Sequence, residues 1–200
     1  GHGKTYLFLD DFNRWFVDPI AGRGYPEDML SIYGENMSKI SASDMDIIAA
    51  PINILGINYY ERCIVSHAEE GVLKLRHEPR PLPHTADREI YPKGLSEIVN
   101  RMYKDYKFDN LVVTENGAAY DEQADAEGFV DDQGRVGFLK AHLSEIVELK
   151  KDLVPVKGYF AWSLMDNFEW TQGYSMRYGI THVNFNTQKR TPKASAHFLR

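Results

Sequence analysis

The sequence predicts an α/β fold with parallel strands. Helical segments alternate with short apolar runs along the chain, an order that suits βα units. Three of those runs, Asn53-Ile54-Leu55-Gly56-Ile57-Asn58, Leu111-Val112-Val113-Thr114 and Gly158-Tyr159-Phe160-Ala161-Trp162, are continuously apolar, as strands covered on both faces are. Each run then stops in a polar or aromatic cluster. Both an open doubly wound sheet and a barrel fit this order, although three clear strands are few for either.

Phe8, Phe12, Trp15 and Phe16 recur at helical spacing, so residues 5 to 17 read as an amphipathic helix that Pro19 and Gly22 end. Pro26 suits the first turn of a shorter helix running toward Tyr33. The first strand follows. Residues 61 to 92 hold no period and read as a long loop, with a hairpin around Gly71; loops of this length usually serve function. Leu95, Ile98, Val99, Met102 and Tyr106 share the face of a helix that leads into the second strand. After an acidic loop from Tyr120 to Gln133, Leu139, Leu143, Ile146 and Val147 mark another helix, stopped by Pro155. The third strand opens an aromatic loop to Tyr178, and Ile180–Phe185 and a helix near Pro192 close the chain. No internal repeat or linker interrupts the 200 residues.

Composition narrows the function classes. The chain is 43% hydrophobic and 26% charged, which suits a globular core and excludes disorder. Its 23 Lys and Arg against 29 Asp and Glu give a net charge of −6, the wrong sign for nucleic acid. No apolar stretch approaches the roughly 20 residues of a membrane span and no signal peptide is read, so the expectation is a cytoplasmic protein with no membrane partner. Cys63 is the one cysteine, which excludes an internal disulfide and a multi-cysteine zinc site.

Weak motifs yield to plain readings. Gly3-Lys4-Thr5 matches only the tail of a phosphate loop, and no Gly-x-Gly-x-x-Gly supports a dinucleotide. Cys63 and His67 could pair as nucleophile and base, but nothing orients the histidine. The strong signals are Asn58-Tyr59-Tyr60, Thr114-Glu115-Asn116-Gly117, and Trp162 with Asp166-Asn167-Phe168-Glu169-Trp170. Ligands bind at the carboxyl ends of parallel strands. A carboxylate directly after buried apolar residues is also costly unless something uses it.

These residues carry a resemblance. Val113-Thr114-Glu115-Asn116-Gly117 resembles the nucleophile signature of glycoside hydrolase family 1, the β-glucosidase family. Gly56-Ile57-Asn58-Tyr59-Tyr60 is similar to the end of that family's sixth barrel strand, and the stretch from Gly158 to Trp170 to its eighth strand and loop. Gly173-Tyr174-Ser175-Met176-Arg177-Tyr178-Gly179 continues the match, and Arg14-Trp15-Phe16-Val17-Asp18-Pro19 fits the helix after the fifth strand.

The resemblance implies a (β/α)8 TIM barrel, of which residues 1–200 form a single incomplete domain supplying roughly strands six to eight. It implies retaining hydrolysis of β-glucosides or related β-glycosides, with no metal or organic cofactor. Glu115 would be the nucleophile and Tyr60 its hydrogen-bond donor. Asn58, Trp162, Glu169, Trp170 and Tyr178 would contact the substrate: Trp162 as the floor under the ring, Glu169 and Trp170 at its 4- and 6-hydroxyls, and Tyr178 lining the pocket. Chemistry supports the pattern, since sugar rings offer apolar faces to aromatics and hydroxyls to carboxylates. Glycosidases also need two carboxyl groups at the scissile bond.

The chain departs from the family at the second carboxyl. The family's acid/base glutamate lies in an Asn-Glu-Pro motif on the fourth strand, upstream of everything matched. His77-Glu78-Pro79 imitates it inside the loop and reads as a coincidence. The upstream Gln, His-Trp and Asn sugar contacts are also missing, and Asn184 stands where Asp is usual. The expected partners are therefore a β-glycoside and either a missing amino-terminal barrel half or a second copy. The alternatives are a non-catalytic carbohydrate-binding fragment and a self-assembling half-barrel.

Overall fold

The computed structural model describes residues 13–70, 75–80 and 82–200. In chain order the helices are α1 (Trp15–Ile20), α2 (Glu27–Tyr33), α3 (Ala42–Ile48), α4 (Pro92–Lys104), α5 (Gln133–Lys151) and α6 (Ala194–Leu199). The strands are β1 (Leu55–Asn58), β2 (Val65–His67), β3 (Leu75–His77), β4 (Leu111–Asn116), β5 (Val156–Ala161), β6 (Thr181–Val183) and β7 (Arg190–Pro192). The chain divides into two compact units, Gly1–Asn53 with Cys63–Arg80, and Ile54–Arg62 with Pro81–Arg200.

In the first unit, Trp15 of α1 packs its ring against Tyr25 at 4.5 Å and Tyr33 at 4.9 Å. Helix α1 runs through Pro19 to Ile20, so that proline does not end it. The expected Phe8 and Phe12 part of this helix lies outside the described residues, as does Gly3-Lys4-Thr5. Helix α2 starts one residue after Pro26, close to expectation. Helix α3 was not expected. Ser41 caps it through a reciprocal pair, its hydroxyl accepting from the Asp44 N–H while the Asp44 carboxylate accepts from the Ser41 N–H. Strands β2 and β3 pair antiparallel, the hairpin foreseen in the long loop.

The second unit holds the parallel sheet, in the order β1-β4-β5. Leu111 and Val113, which share one face of β4, are fully buried, while Val112 is half-buried and Thr114 exposed on the other. Helix α4 buries Leu95, Val99 and Met102, one stripe at helical spacing. Helix α5 buries Phe138, Leu139, His142, Ile146 and Leu149, while Val147, expected in the apolar face, is 53% exposed. Ala118, Phe138 and Leu139 form a packed cluster flanked by Tyr159, Ala161 and Leu199, which closes the far side of the sheet.

Strands β6 and β7 form an antiparallel hairpin, of which only the first strand was anticipated. Among the described residues no helix is long and apolar enough to cross a membrane.

Candidate active site

The register of the sheet builds the site. Strand β1 runs beside β4 with Ile57 opposite Val113, slips by one residue, and then sets Asn58 opposite Glu115. The slip brings the Tyr59 N–H onto the Glu115 carbonyl at 2.9 Å, so the two strand ends stay joined across it. Tyr60, the next residue, donates its hydroxyl proton to Glu115 Oε2 at 2.7 Å. Asn58 Oδ1 accepts from the Thr114 hydroxyl at 2.7 Å. Burial, and then the bond to Glu115, raise the Tyr60 pKa above the usual phenol range, so it remains a donor.

Residues flanking Glu115 fix its direction. The buried Asn116 amide donates to the Tyr59 carbonyl at 2.8 Å and accepts from the Tyr159 hydroxyl at 2.6 Å. Gly117 has no room for a side chain, because a Cβ there would sit 1.7 Å from the Trp162 carbonyl oxygen. The Trp162 N–H also donates to the Asn116 carbonyl at 2.9 Å, so the ends of β4 and β5 close on each other and seat the half-buried Trp162 beside the Glu115 strand.

The loop after β5 carries the remaining expected residues. Glu169 is half-buried at the entry to a short 3-10 turn, Trp170–Gln172, and Trp170 is 82% exposed. Asp166 anchors this loop: its buried carboxylate accepts from Arg177 at 2.6 Å, Lys193 at 3.0 Å, and the N–H groups of Gly179 and Val183. Arg135, also buried, donates to the carbonyls of Ala118 and Arg177 and pairs with Asp132, and thereby joins the two loops that leave β4 and β5. Tyr178 is 2% exposed, and its hydroxyl donates to Asp87 at 2.7 Å.

The sequence model of glycosyl hydrolase family 1 matches residues 7–200. The chain belongs to that family. It is 39% identical over 198 residues to β-glucosidase A of Thermotoga maritima, covering 98% of this chain and 44% of the relative. It is 37% identical to a β-glucosidase of an Agrobacterium species, covering 92% of this chain and 41% of that one. A solved family 1 β-glucosidase from Thermotoga maritima superposes with a TM-score of 0.90 at 38% identity, covering 96% of this chain and 44% of that structure. The chain thus spans about 44% of the length of β-glucosidase A. Its parallel strands are part of a family 1 (β/α)8 barrel.

Within this family 1 frame the structure gathers Asn58, Tyr60 and Glu115 at one strand end, brings Trp162 against Asn116 and Gly117, and sets Glu169 and Trp170 farther along the next loop. Glu78, of the acid/base look-alike, lies in the first unit. Hydrogen bonds from Ser66 and then Arg76 lower its pKa, the opposite of what a proton donor needs. Cys63 is exposed and His67 faces Glu69 at 3.0 Å, which is no nucleophile–base arrangement. Among the described residues no cluster of three or more His, Cys, Asp or Glu is placed to hold a metal ion. The sequence reading missed Asp87 and Arg88, which pack around Tyr178; an adjacent acid and base in an aperiodic loop was the only local signal.

Proposed function

We propose that this chain supplies the nucleophile side of a retaining β-glycosidase site acting on β-glucosides or related β-glycosides. The supporting observation is the 2.7 Å hydrogen bond from Tyr60 to Glu115 at adjoining ends of two parallel strands. Tyr60 occupies Oε2 and fixes the plane of the carboxylate, so Oε1 is the oxygen presented to the anomeric carbon. Attack forms the Glu115–C1 ester bond and breaks the glycosidic bond; the aglycone oxygen takes a proton from a general acid. Water then attacks C1, gives its proton to the same residue acting as base, and releases Glu115.

The acid/base residue is expected on a barrel segment upstream of these residues, about 5 Å from Glu115 as retaining chemistry requires. Trp162 offers an apolar face for the ring, and Glu169 with Trp170 would recognise its outer hydroxyls. A carboxylate at Glu169 repels a phosphate, so the sugar is expected to be unphosphorylated. A second copy, or the rest of a family 1 barrel, is the partner that would complete the site.

A slow-turnover 2-fluoro-β-glucoside, incubated with the full-length protein and mapped by peptide mass spectrometry, is expected to label Glu115. A label on Glu169 or Glu78 overturns the reading.

A further inference from the structure

Tyr60 is held on two sides, by Arg88 and by Tyr178. The Arg88 guanidinium lies over its ring, with the central carbon 4.5 Å from the ring centroid. Tyr178 meets the same ring edge-on, with centroids 6.2 Å apart at 86°. Arg88 is not a loose surface cation. Its Nε donates to the Tyr178 hydroxyl at 3.0 Å and to Asp87 Oδ2 at 3.2 Å, and that hydroxyl donates to the same carboxylate oxygen at 2.7 Å. The backbone beneath it is pinned as well. The Thr85 N–H donates to the Arg88 carbonyl at 2.8 Å, and the Arg88 N–H to the Thr85 hydroxyl at 3.1 Å. The Ala86 N–H reaches the Ala119 carbonyl at 2.9 Å, which moors this loop to the segment that follows the nucleophile strand.

We infer that Arg88 is a positioning residue for the reaction: clamped by Asp87 and Tyr178, its guanidinium holds the Tyr60 ring and strengthens the Tyr60 hydroxyl as a donor to Glu115. The phenol oxygen lies on the Cβ–Cζ axis, so it moves out of line only when the whole ring swings about χ1, and a cation on one face with a second aromatic ring at 86° opposes that swing. The positive charge also draws electron density from the ring, which makes the O–H a better donor to a carboxylate. Against the raising effects of burial and Glu115, Arg88 acts on Tyr60 in the opposite direction, toward a more acidic phenol. Asp87 and Tyr178 thus have a task of their own: they orient the cation. The inference rests on the reading of Glu115 as the nucleophile.

The test is the inactivation kinetics of the full-length protein with the 2-fluoro-β-glucoside, because the saturating rate constant and the binding constant separate. Arg88→Met keeps the bulk and removes the charge. It is expected to lower the saturating rate about fivefold, the fold-change that a single cation–π contact represents, with binding unchanged within about twofold. Arg88→Lys returns a cation to the ring and is expected to recover part of the loss. In a Tyr60→Phe background, where the hydroxyl is gone, Arg88→Met is expected to change the rate by less than about twofold, because residues that act through one contact are not additive.

An equal loss in both backgrounds means Arg88 acts only on the scaffold and overturns the inference. So does an unchanged rate in Arg88→Met with the label on Glu115. A label on another residue overturns the nucleophile reading, and this inference with it. If Arg88→Met does not fold, Tyr178→Phe decides: it deletes one hydroxyl from the clamp, and a rate equal to that of the parent protein refutes the role.

Discussion

The Asn116 amide ties the residue after Glu115 to the residue before Tyr60, with Nδ2 2.8 Å from the Tyr59 carbonyl oxygen. One buried side chain therefore sets the separation of the two groups on which the proposed chemistry depends. Asn116→Ala would strip a partner from both the Tyr59 carbonyl and the Tyr159 hydroxyl, each costing about 1–3 kcal/mol when buried and unsatisfied. The expected outcome is a fall of roughly 2–6 kcal/mol in unfolding free energy by urea titration, together with slower fluoroglucoside labelling. A loss of stability with an unaltered labelling rate would show that Tyr60 and Glu115 find each other without this amide.

Asp166 is expected to govern the loop that carries Glu169 and Trp170. Its carboxylate is fully buried between Arg177 and Lys193. Asp166→Asn leaves a buried ammonium without its counter-charge, and removing one partner of such a pair typically costs about 3–5 kcal/mol. The urea midpoint is expected to drop accordingly, and tryptophan emission to change before global unfolding as the half-buried Trp162, at the root of this loop, becomes exposed. Coincident fluorescence and far-UV transitions would argue that the loop has no independent mobility.

His142 predicts acid sensitivity. It is buried in α5 against Phe138, with ring centroids 3.9 Å apart, and its Nδ1 bonds the Phe138 carbonyl. Among the described residues its Nε2 has no hydrogen-bond partner, and burial pushes its pKa down from 6.5 to about 4. The native state therefore keeps the ring neutral while the unfolded chain takes up a proton. Above pH 6.5 the group contributes no pH dependence; as pH falls from there to about 4, stability is lost, and below about 4 the loss levels off. At about 1.4 kcal/mol per pH unit the loss amounts to roughly 3 kcal/mol. His142→Phe is expected to flatten the unfolding free energy over this window relative to the parent, and parallel curves would disprove the assignment.

Turnover is expected to need a carboxyl group from outside these residues. A positioned general acid is worth about 10²–10⁴ in rate, and Ser66 and Arg76 hold Glu78 in its charged form. Glu78→Gln in the full-length protein is therefore expected to leave aryl-glucosidase activity unaltered. The 200-residue chain alone is expected to be silent until it is mixed with a fragment carrying the Asn-Glu-Pro strand. Activity of the isolated chain that disappears with Glu78→Gln would reverse the view of His77-Glu78-Pro79.

What the sequence disclosed depended on the range of the signal. Leu95, Val99 and Met102 announce α4 because a helix that buries one face must repeat that face every three or four residues. The strand ends that carry Tyr60, Glu115 and Trp162 were legible because apolar runs stop there and motifs begin. Helix α3 escaped because its residues are mostly exposed and carry no stripe, Ile47 being 74% exposed. Its only mark was the Ser41–Asp44 cap. Strand β7 has neither alternation nor apolar character; the hairpin with β6 makes it a strand. The Asp87–Arg88–Tyr178 clamp was beyond reading, since its partners lie some 90 positions apart and meet only when the sheet forms.

The slips in strand register fall at particular places. In β1 the ladder breaks between Ile57 and Asn58, and β4 loses step with β5 between Leu111 and Val112 and again between Val113 and Asn116, the last break and that in β1 falling at the site end. Below the site-end breaks, Ile57, Leu111, Val113 and Val156 are buried, and an exchange there is paid for in packing. Beyond them the backbone no longer has to keep step with its neighbour, so side chains can be re-aimed without dragging the sheet along. Asn58, Tyr60, Glu115 and Trp162 all lie at or past this line. Under the proposed glycosidase reading, a lineage could therefore try new sugars or leaving groups by altering the last residues of each strand and the loop behind it, while the buried residues lower in the sheet preserve foldability throughout the search.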